Sequence, residues 1–397
     1  MKNLFFILIV LAFINCKSNT TDFSSEAIKI QVSDNPPTQY LSDFFKLDGF
    51  ILLEESGNSK IRSDRNTKLV FIDNKLLVLD NMTEFQDVWV FDKSDGKYSG
   101  KIGFQNENDE NGYDGLNDIA YNKSDNFIRF CSSAKMHFMD YSADGMLQST
   151  QSSGIIGEET EWLSNGKEMV VYNELNANDI SGSNYLLFYD RQGNLLKKSL
   201  PYSPDLNGYG YTFTGFLSKS EKHLFFAPPF SDTLFEIVSK DQITPRYILD
   251  FGSLSIPENM RNKRIYGENV HDNAYLSNQC IQVGKFLIFE YFHQGIVSLG
   301  LYDTTNNMFM DFNHSKKDAL YDLLQLGELT SVDDNTFAFA ISPARLKNLI
   351  KNNSIDEPMI NSLSVGLWEK IKQGAGQDKN MLILYFKVSP DAAVAGQ

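Results

Sequence analysis

Val88-Trp89-Val90-Phe91-Asp92, followed by the polar turn Lys93 to Gly96, decides the fold because it recurs. Met136 to Asp140 leads into a turn at Tyr141 to Gly145. Leu186-Leu187-Phe188-Tyr189-Asp190 turns at Arg191-Gln192-Gly193-Asn194. The Asp positions 92, 140 and 190 set a period of about 50 residues. Each copy reads as a hairpin. The Asp bonds its own following backbone and opens the turn, and Gly or Asn supplies the positive φ that closes it. A fourth copy, Thr233 to Ile237 before Ser239-Lys240-Asp241, lacks the Asp. A fifth is Gly300-Leu301-Tyr302-Asp303 with Thr304 to Asn307, and the last is Met381 to Phe386.

A further strand precedes each hairpin: Lys75 to Asp80, Phe127 to Phe130, Glu168 to Tyr172, Lys222 to Ala227, Lys285 to Tyr291 and Asn335 to Ile341. Lys68 to Ile72 forms an additional strand before the first. A unit of this length with about four strands is a propeller blade. The reading is therefore all-β, a six-bladed β-propeller over residues 28–390. A ring must close, because open strand edges invite aggregation. Ile28-Lys29-Ile30-Gln31-Val32 alternates apolar and polar as a half-exposed strand does. It is expected to complete the blade of Met381 to Val388, with Phe50 to Leu53 as the competing segment. Ser342-Pro343 reads as an N-cap with Pro at the first helical position. Leu346, Leu349, Ile350, Ile360, Leu363, Leu367, Trp368 and Ile371 follow at helical spacing. These predict a small helical insertion in the last blade, about 342–373, packed on the propeller. A shorter helix is expected in Lys316 to Leu326.

The N-terminus reads as a targeting segment. Lys2 precedes the apolar run Leu4 to Ile14, and Cys16 follows at once. The run falls short of the ~20 residues that span a bilayer. A basic start, a short apolar stretch and an immediate Cys predict a lipoprotein signal peptide over 1–16 with Cys16 as lipid acceptor, and a tether over 17–27. Phe13-Ile14-Asn15 departs from the usual lipobox, and plain secretion by cleavage near Cys16 is the alternative. The expected location is the cell envelope, as an outer-membrane lipoprotein, with periplasmic and surface display both open.

Composition narrows the partners. The net charge of −15 disfavours nucleic acid and anionic membrane surfaces. Contact with a membrane is expected through the lipid anchor only. Cys131 and Cys280 fall in the second and fifth of six blades and are read as unpaired, buried residues. The five His show no ligand spacing, and no P-loop, dinucleotide fingerprint or Gly-x-Ser-x-Gly elbow occurs. No metal, cofactor or catalytic residue is therefore assigned. Asp109, Glu110, Asp114 and Asp118 form the densest carboxylate group and read as a solvated acidic loop rather than a Ca²⁺ site. Asn207-Gly208-Tyr209-Gly210-Tyr211 places two Tyr between glycines. Tyr209 and Tyr211 are the candidate ligand-stacking residues, with packing in the core as the other reading.

The chain resembles the six-bladed β-propeller lipoproteins of Bacteroides-type bacteria. The resemblance is carried by Leu41-Ser42-Asp43-Phe44-Phe45, Lys75 to Asp80, Pro229-Phe230-Ser231-Asp232-Thr233-Leu234-Phe235, Tyr247 to Gly252 with Ile256-Pro257, and Asp378 to Tyr385. It spans essentially the whole mature chain. Where that family has a Gly-rich loop after Ile102-Gly103, this chain has the acidic, Asn-rich segment Gln105 to Asp114. The resemblance implies an exported propeller and an association with glycan or nutrient uptake by fold analogy only. Two function classes follow: a ligand-binding or scaffolding lipoprotein for a glycan, peptide or protein, and an exported propeller enzyme such as a polysaccharide lyase or hydrolase. Converging titratable groups at a channel mouth would mark the enzyme, and aromatics and amides the binder. Cys16→Ala is expected to move the protein from the membrane fraction to the soluble fraction. Mass spectrometry of the wild-type N-terminus showing an unmodified Cys16 would overturn the lipid assignment.

Overall fold

The computed structural model describes residues 27–392 apart from 33–39, 57–60, 62–66, 83–84, 107, 110, 208–215, 258–271, 294, 313–318, 325–328, 353–356, 377–380 and 391. The chain enters through Ile28–Gln31 (β1), a single turn of helix Leu41–Phe44 (α1) and Phe45–Leu52 (β2). Five consecutive blades follow. The first comprises Thr67–Ile72 (β3), Lys75–Met82 (β4), Phe85–Asp92 (β5) and Tyr98–Ile102 (β6). The second is Leu116–Asn122 (β7), Phe127–Ser132 (β8), His137–Ser142 (β9) and Leu147–Ser152 (β10). The third is Glu159–Trp162 (β11), Glu168–Tyr172 (β12), Asn184–Asp190 (β13) and Leu195–Pro201 (β14). The fourth runs Leu217–Lys219 (β15), Leu224–Phe226 (β16), Thr233–Ser239 (β17) and Gln242–Asp250 (β18). The fifth runs Ala274–Val283 (β19), Phe286–His293 (β20), Ile296–Asp303 (β21) and Met308–Asp311 (β22). The sixth contributes Leu329–Asp333 (β23), Thr336–Ile341 (β24) and Leu382–Val388 (β25). Six antiparallel meanders result, as the recurring hairpins predict.

The apolar residues collect in six wedges, one between each pair of neighbouring blades. The wedge between the first and last blades joins Leu69, Leu76, Val78 and Phe91 to Ala338, Met381 and Ile383, so the ring is closed. The closing strand is β2, not β1. β2 lies antiparallel to β25, from Phe45 opposite Val388 to Leu52 opposite Leu382, and forms the outermost strand of the sixth blade. Phe45 is fully buried and packs edge-on against Phe286 and Phe337. Beyond β2, the Glu54 amide donates to the Gly96 carbonyl and the Glu54 carboxylate accepts from the Tyr98 amide, which ties the closing strand to the first blade.

The expected closure by Ile28 to Val32 is corrected. β1 adds in parallel to the outer edge of β18, Ile28 beside Tyr247 and Gln31 beside Asp250, as a fifth strand of the fourth blade. Its alternation is real: Ile30 is 1% exposed among Tyr247, Leu249 and Leu276, while Lys29 and Gln31 do not join that core. Alternation marks one buried face but carries no information about which sheet edge the strand pairs with.

Turn chemistry follows the sequence with one exception. Asp92 accepts from the Ser94 amide, Asp190 from Asn194, and Asp303 from Thr305 and Asn306. Gly96, Gly145, Gly193 and Asn307 close the hairpins at φ of 73°, 85°, 78° and 55°. Asp140 is diverted. The fully buried Arg129 takes both its oxygens, Nε to Oδ1 at 2.7 Å and Nη2 to Oδ2 at 2.8 Å. Nη2 also donates to the Arg191 carbonyl at 2.6 Å, in the outer turn of the third blade, and the guanidinium lies over Phe127, Phe138 and Trp162. A buried cation needs a bidentate partner and filled donor positions, so Asp140 serves as counter-ion while Arg129 staples the second blade to the third, and the Ser142 hydroxyl accepts the turn amide of Met146.

The insertion lies between β24 and β25 as Pro343–Lys351 (α3), Glu357–Leu363 (α4) and Leu367–Gly376 (α5), with the Ser342 hydroxyl accepting the Arg345 amide as N-cap; a shorter helix, Ala319–Leu324 (α2), precedes β23. Leu320, Ile360, Leu367 and Ile371 join the core of the fifth and sixth blades. Cys131 and Cys280 are free and buried on β8 and β19, and burial pushes both thiols up, that of Cys131 to about 12. Removing residues 17–34 is expected to lower stability by ~2–5 kcal/mol, the scale of losing a buried Ile with its cavity, and to leave a monomer. Extending the deletion through Leu52 is expected to give aggregates on size-exclusion chromatography. Equal tolerance of the two deletions would contradict closure by β2.

Candidate functional site

The first strand of every blade, β3, β7, β11, β15, β19 and β23, lines one axial cavity of about 910 Å³. Inner strands converge on the axis, so their side chains meet across blades. Four of them carry an ionisable residue at their second or third position: Lys68, Asp118, Glu161 and Lys219. A register shift between Leu116 and Asp118 breaks the β7–β8 ladder at the residue that presents the carboxylate, the usual work of a β-bulge.

These four form a chain of contacts. Lys68 Nζ lies 2.9 Å from Asp118 Oδ2 and 2.9 Å from Glu161 Oε1, and donates to the Thr160 carbonyl at 3.2 Å. Lys219 Nζ lies 3.2 Å from Glu161 Oε2. Asp118 Oδ2 also accepts from the Thr160 amide at 2.6 Å. Two cations and two anions cancel. Burial would push the Lys68 ammonium down, but Asp118 and Glu161 hold it well above the usual lysine range. Burial raises the Asp118 carboxyl even against Lys68, whereas Lys68 and Lys219 outweigh burial at Glu161 and hold it low. The Lys68 side chain keeps 29% of its surface open, and that of Lys219 37%, so the quartet remains accessible from the cavity.

Where the inner strands begin, Glu158, Glu159 and Glu174 also line the cavity. The Glu159 carboxylate accepts the Phe216 and Leu217 amides at 3.1 and 2.7 Å, which joins the third blade to β15. Burial, then the charges of Glu174, Glu159 and Asp118, push the Glu158 carboxyl up to about 8. The cavity also holds amides and hydroxyls, among them Asn81, Asn117, Gln279 and Ser331.

The acidic group read from the sequence is split by the fold. Asp118 belongs to the axial quartet, while Glu110 lies outside the described residues. Asp109 caps the Asn111 amide at 2.8 Å. Lys135 Nζ occupies the loop, taking the carbonyls of Asn106, Asp109 and Gly112. Among the described residues no group of His, Cys, Asp and Glu could hold a metal ion. Tyr209, Tyr211 and Cys16 lie outside the described residues. Sequence reading missed Lys68, Glu158, Glu161, Glu174 and Lys219. The available signal was a charge at the second or third position of the first strand in four consecutive blades.

A family profile described as a domain of unknown function (DUF4934) matches residues 25–387. Two crystal structures share the fold. One is of a protein described as exported, from Bacteroides fragilis NCTC 9343, at 16% identity over 91% of this chain and 99% of that chain, with a TM-score of 0.67. The other is of a DUF4221 family member from Bacteroides vulgatus, at 10% identity over 88% of this chain and 100% of that chain, with a TM-score of 0.52. At these identities the likeness establishes the fold alone. No curated protein matches the chain.

Lys68→Met would leave Asp118 without its ammonium and Glu161 with one of two. The expected loss is about 3 kcal/mol at neutral pH, the scale of breaking a buried pair. The defect should shrink toward about pH 4, where the stranded carboxylates take up protons. Denaturant titrations of both proteins at the two pH values check this, and a defect that does not change with pH would refute the electrostatic account.

Proposed function

The chain belongs to the family described as a domain of unknown function (DUF4934), and we propose that it is an exported, lipid-anchored propeller that binds a small polar ligand in its axial cavity. The observation that carries this reading is the cavity itself. Its volume of about 910 Å³ falls within the ~300–1,000 Å³ of small-molecule sites, and all six blades supply its wall. Export and anchoring rest on Leu4 to Ile14 and Cys16, and the resemblance to envelope propellers favours nutrient or glycan capture. No helix among the described residues is long and apolar enough to cross a membrane.

Binding is favoured over catalysis by the state of the ionisable groups. Lys68, Asp118, Glu161 and Lys219 are spent on one another, an arrangement that shapes a polar wall without leaving a reactive group. The exported-enzyme reading has one observation in its favour, the raised carboxyl of Glu158 beside Glu174. Isothermal titration against a panel of neutral, acidic and basic small molecules is expected to give a saturable ligand. Lys219→Met, which removes one ammonium from the wall, should weaken that ligand about tenfold, or ~1.4 kcal/mol. Affinity unchanged by this variant would place binding outside the cavity. Mass spectrometry of the recovered ligand is expected to show it intact, and conversion would transfer the assignment to an enzyme.

A further inference from the structure

The axial quartet is balanced in charge but not filled at its ends. An ammonium has three N–H donors. Those of Lys68 are used: it donates to Asp118 Oδ2 at 2.9 Å and to the Thr160 carbonyl at 3.2 Å, and Glu161 Oε1 stands 2.9 Å away. Asp118 receives Lys68 and the Thr160 amide and hydroxyl on Oδ2 alone. No described residue donates to its Oδ1, and Asp118 lines the cavity. At the other end, the charged partner of Lys219 among the described residues is Glu161 Oε2 at 3.2 Å, so further donors of this ammonium are left to the cavity. An anionic acceptor on the second blade and a cationic donor on the fourth therefore stand open, with Lys68 and Glu161 between them.

The neighbouring polar groups sharpen this contrast. The Cys280 amide donates to the Ser218 hydroxyl at 3.4 Å, which sets β19 beside β15 and Gln279 near Lys219. Gln279 Oε1 accepts the Leu329 amide at 3.2 Å, so its Nε2 is the end that remains for the cavity. The Lys219 ammonium and a side-chain N–H₂ together suit a carboxylate. Toward Asp118, Glu158 lies close enough to feel the Asp118 charge, so this end draws a cation. The other cavity amides are engaged in holding blades: Asn81 donates to the Asn117 carbonyl and accepts from Gln86, and Asn117 donates to the Gly157 carbonyl and accepts from Ser133. A neutral sugar would answer neither charge, and a ligand of one sign would leave the opposite end bare.

Resting on the reading of the axial cavity as the ligand site, we propose that it takes a small zwitterion of amino-acid chemistry, a free amino acid or short peptide. The ligand ammonium sits on Asp118 Oδ1 and the ligand carboxylate on Lys219 and Gln279. Gln279→Glu isolates the second contact. It keeps an acceptor for the Leu329 amide, and so the tie between the fifth and sixth blades, but replaces the donor with a negative charge.

The test offers the purified full chain a mixed library of amino acids, dipeptides and tripeptides at neutral pH, with neutral oligosaccharides run alongside. Members retained through gel filtration are identified by mass spectrometry and titrated by calorimetry in free, N-acetylated and C-amidated form. Free forms are expected to be retained, and blocking either terminus should weaken binding at least about tenfold. Gln279→Glu should weaken the free form by a similar factor and the amidated form by less, because an amide N–H₂ can donate to the new carboxylate. The blocked ligands test the proposal on wild type alone should that variant fail to fold. Retention of oligosaccharides only, or of no library member, would overturn the ligand class. Equal affinity of free and blocked forms, together with a response to Lys219→Met, would overturn the zwitterion while the cavity reading stands. A retained zwitterion whose affinity ignores both Gln279→Glu and Lys219→Met would instead mark failure of the cavity reading.

Discussion

The ladder between Phe45–Leu52 and Leu382–Val388 is the constraint on which the molecule depends. The last blade obtains only three strands from the C-terminal part of the chain, and its fourth arrives from near the other end. Without it, Phe337, Phe339 and Phe386 would face solvent on one side, and a sheet edge would stand open beside Gly96 of the first blade. Loop closure over more than three hundred residues is entropically expensive, although that cost grows only with the logarithm of length. The return comes in two wedges at once, because Phe45 packs between the fifth and sixth blades while Leu53 packs between the sixth and first. The helical insertion depends on the same strand, since Ile360, Leu367 and Ile371 rest on a core that contains Phe44 and Phe45.

Closure also creates the axial electrostatics. Lys68 and Asp118 are fifty residues apart, and Glu161 and Lys219 are farther along. They meet only because the ring brings the first strands of four blades to one axis. In such a place an isolated charge is costly, so each ionised group must find its opposite in the next blade. The contacts Lys68–Asp118, Lys68–Glu161 and Lys219–Glu161 satisfy that demand and tie the first four blades together. Farther out, Arg129 and Asp140 pair within the second blade, and Arg129 reaches the third through the Arg191 carbonyl.

Much of the local structure was legible because it depends on near neighbours in the chain. Asp92, Asp190 and Asp303 turn their hairpins as their positions before polar, Gly- or Asn-containing segments imply, and Ser342-Pro343 starts a helix. Asp140 stands two residues before the turn position, which Ser142 fills, and its carboxylate serves the buried Arg129 directly across the ladder. The segment Ile28–Gln31 was recognisable as a strand and misassigned to its partner. An unpaired edge on β18 and one on β25 present the same backbone groups, and what separates them is the longer register and bulkier apolar face of β2. The cluster from Asp109 to Asp118 looked like one feature in sequence and proved to be two, a loop wrapped on the Lys135 ammonium and a carboxylate at the axis.

The sequence by itself determined the all-β class, the count of six blades, the hairpin turns and the helical insertion. Each of these is written in periodicity and in residue preferences acting over a few positions. Tertiary structure alone decided which N-terminal strand closes the ring, and which charges share the axial cavity. Strand pairing uses backbone groups that every residue carries, and charge pairing across blades depends on distances that no spacing along the chain encodes. For that reason Lys68, Asp118, Glu158, Glu161, Glu174 and Lys219 read separately as ordinary surface residues and become one site only when the ring is closed.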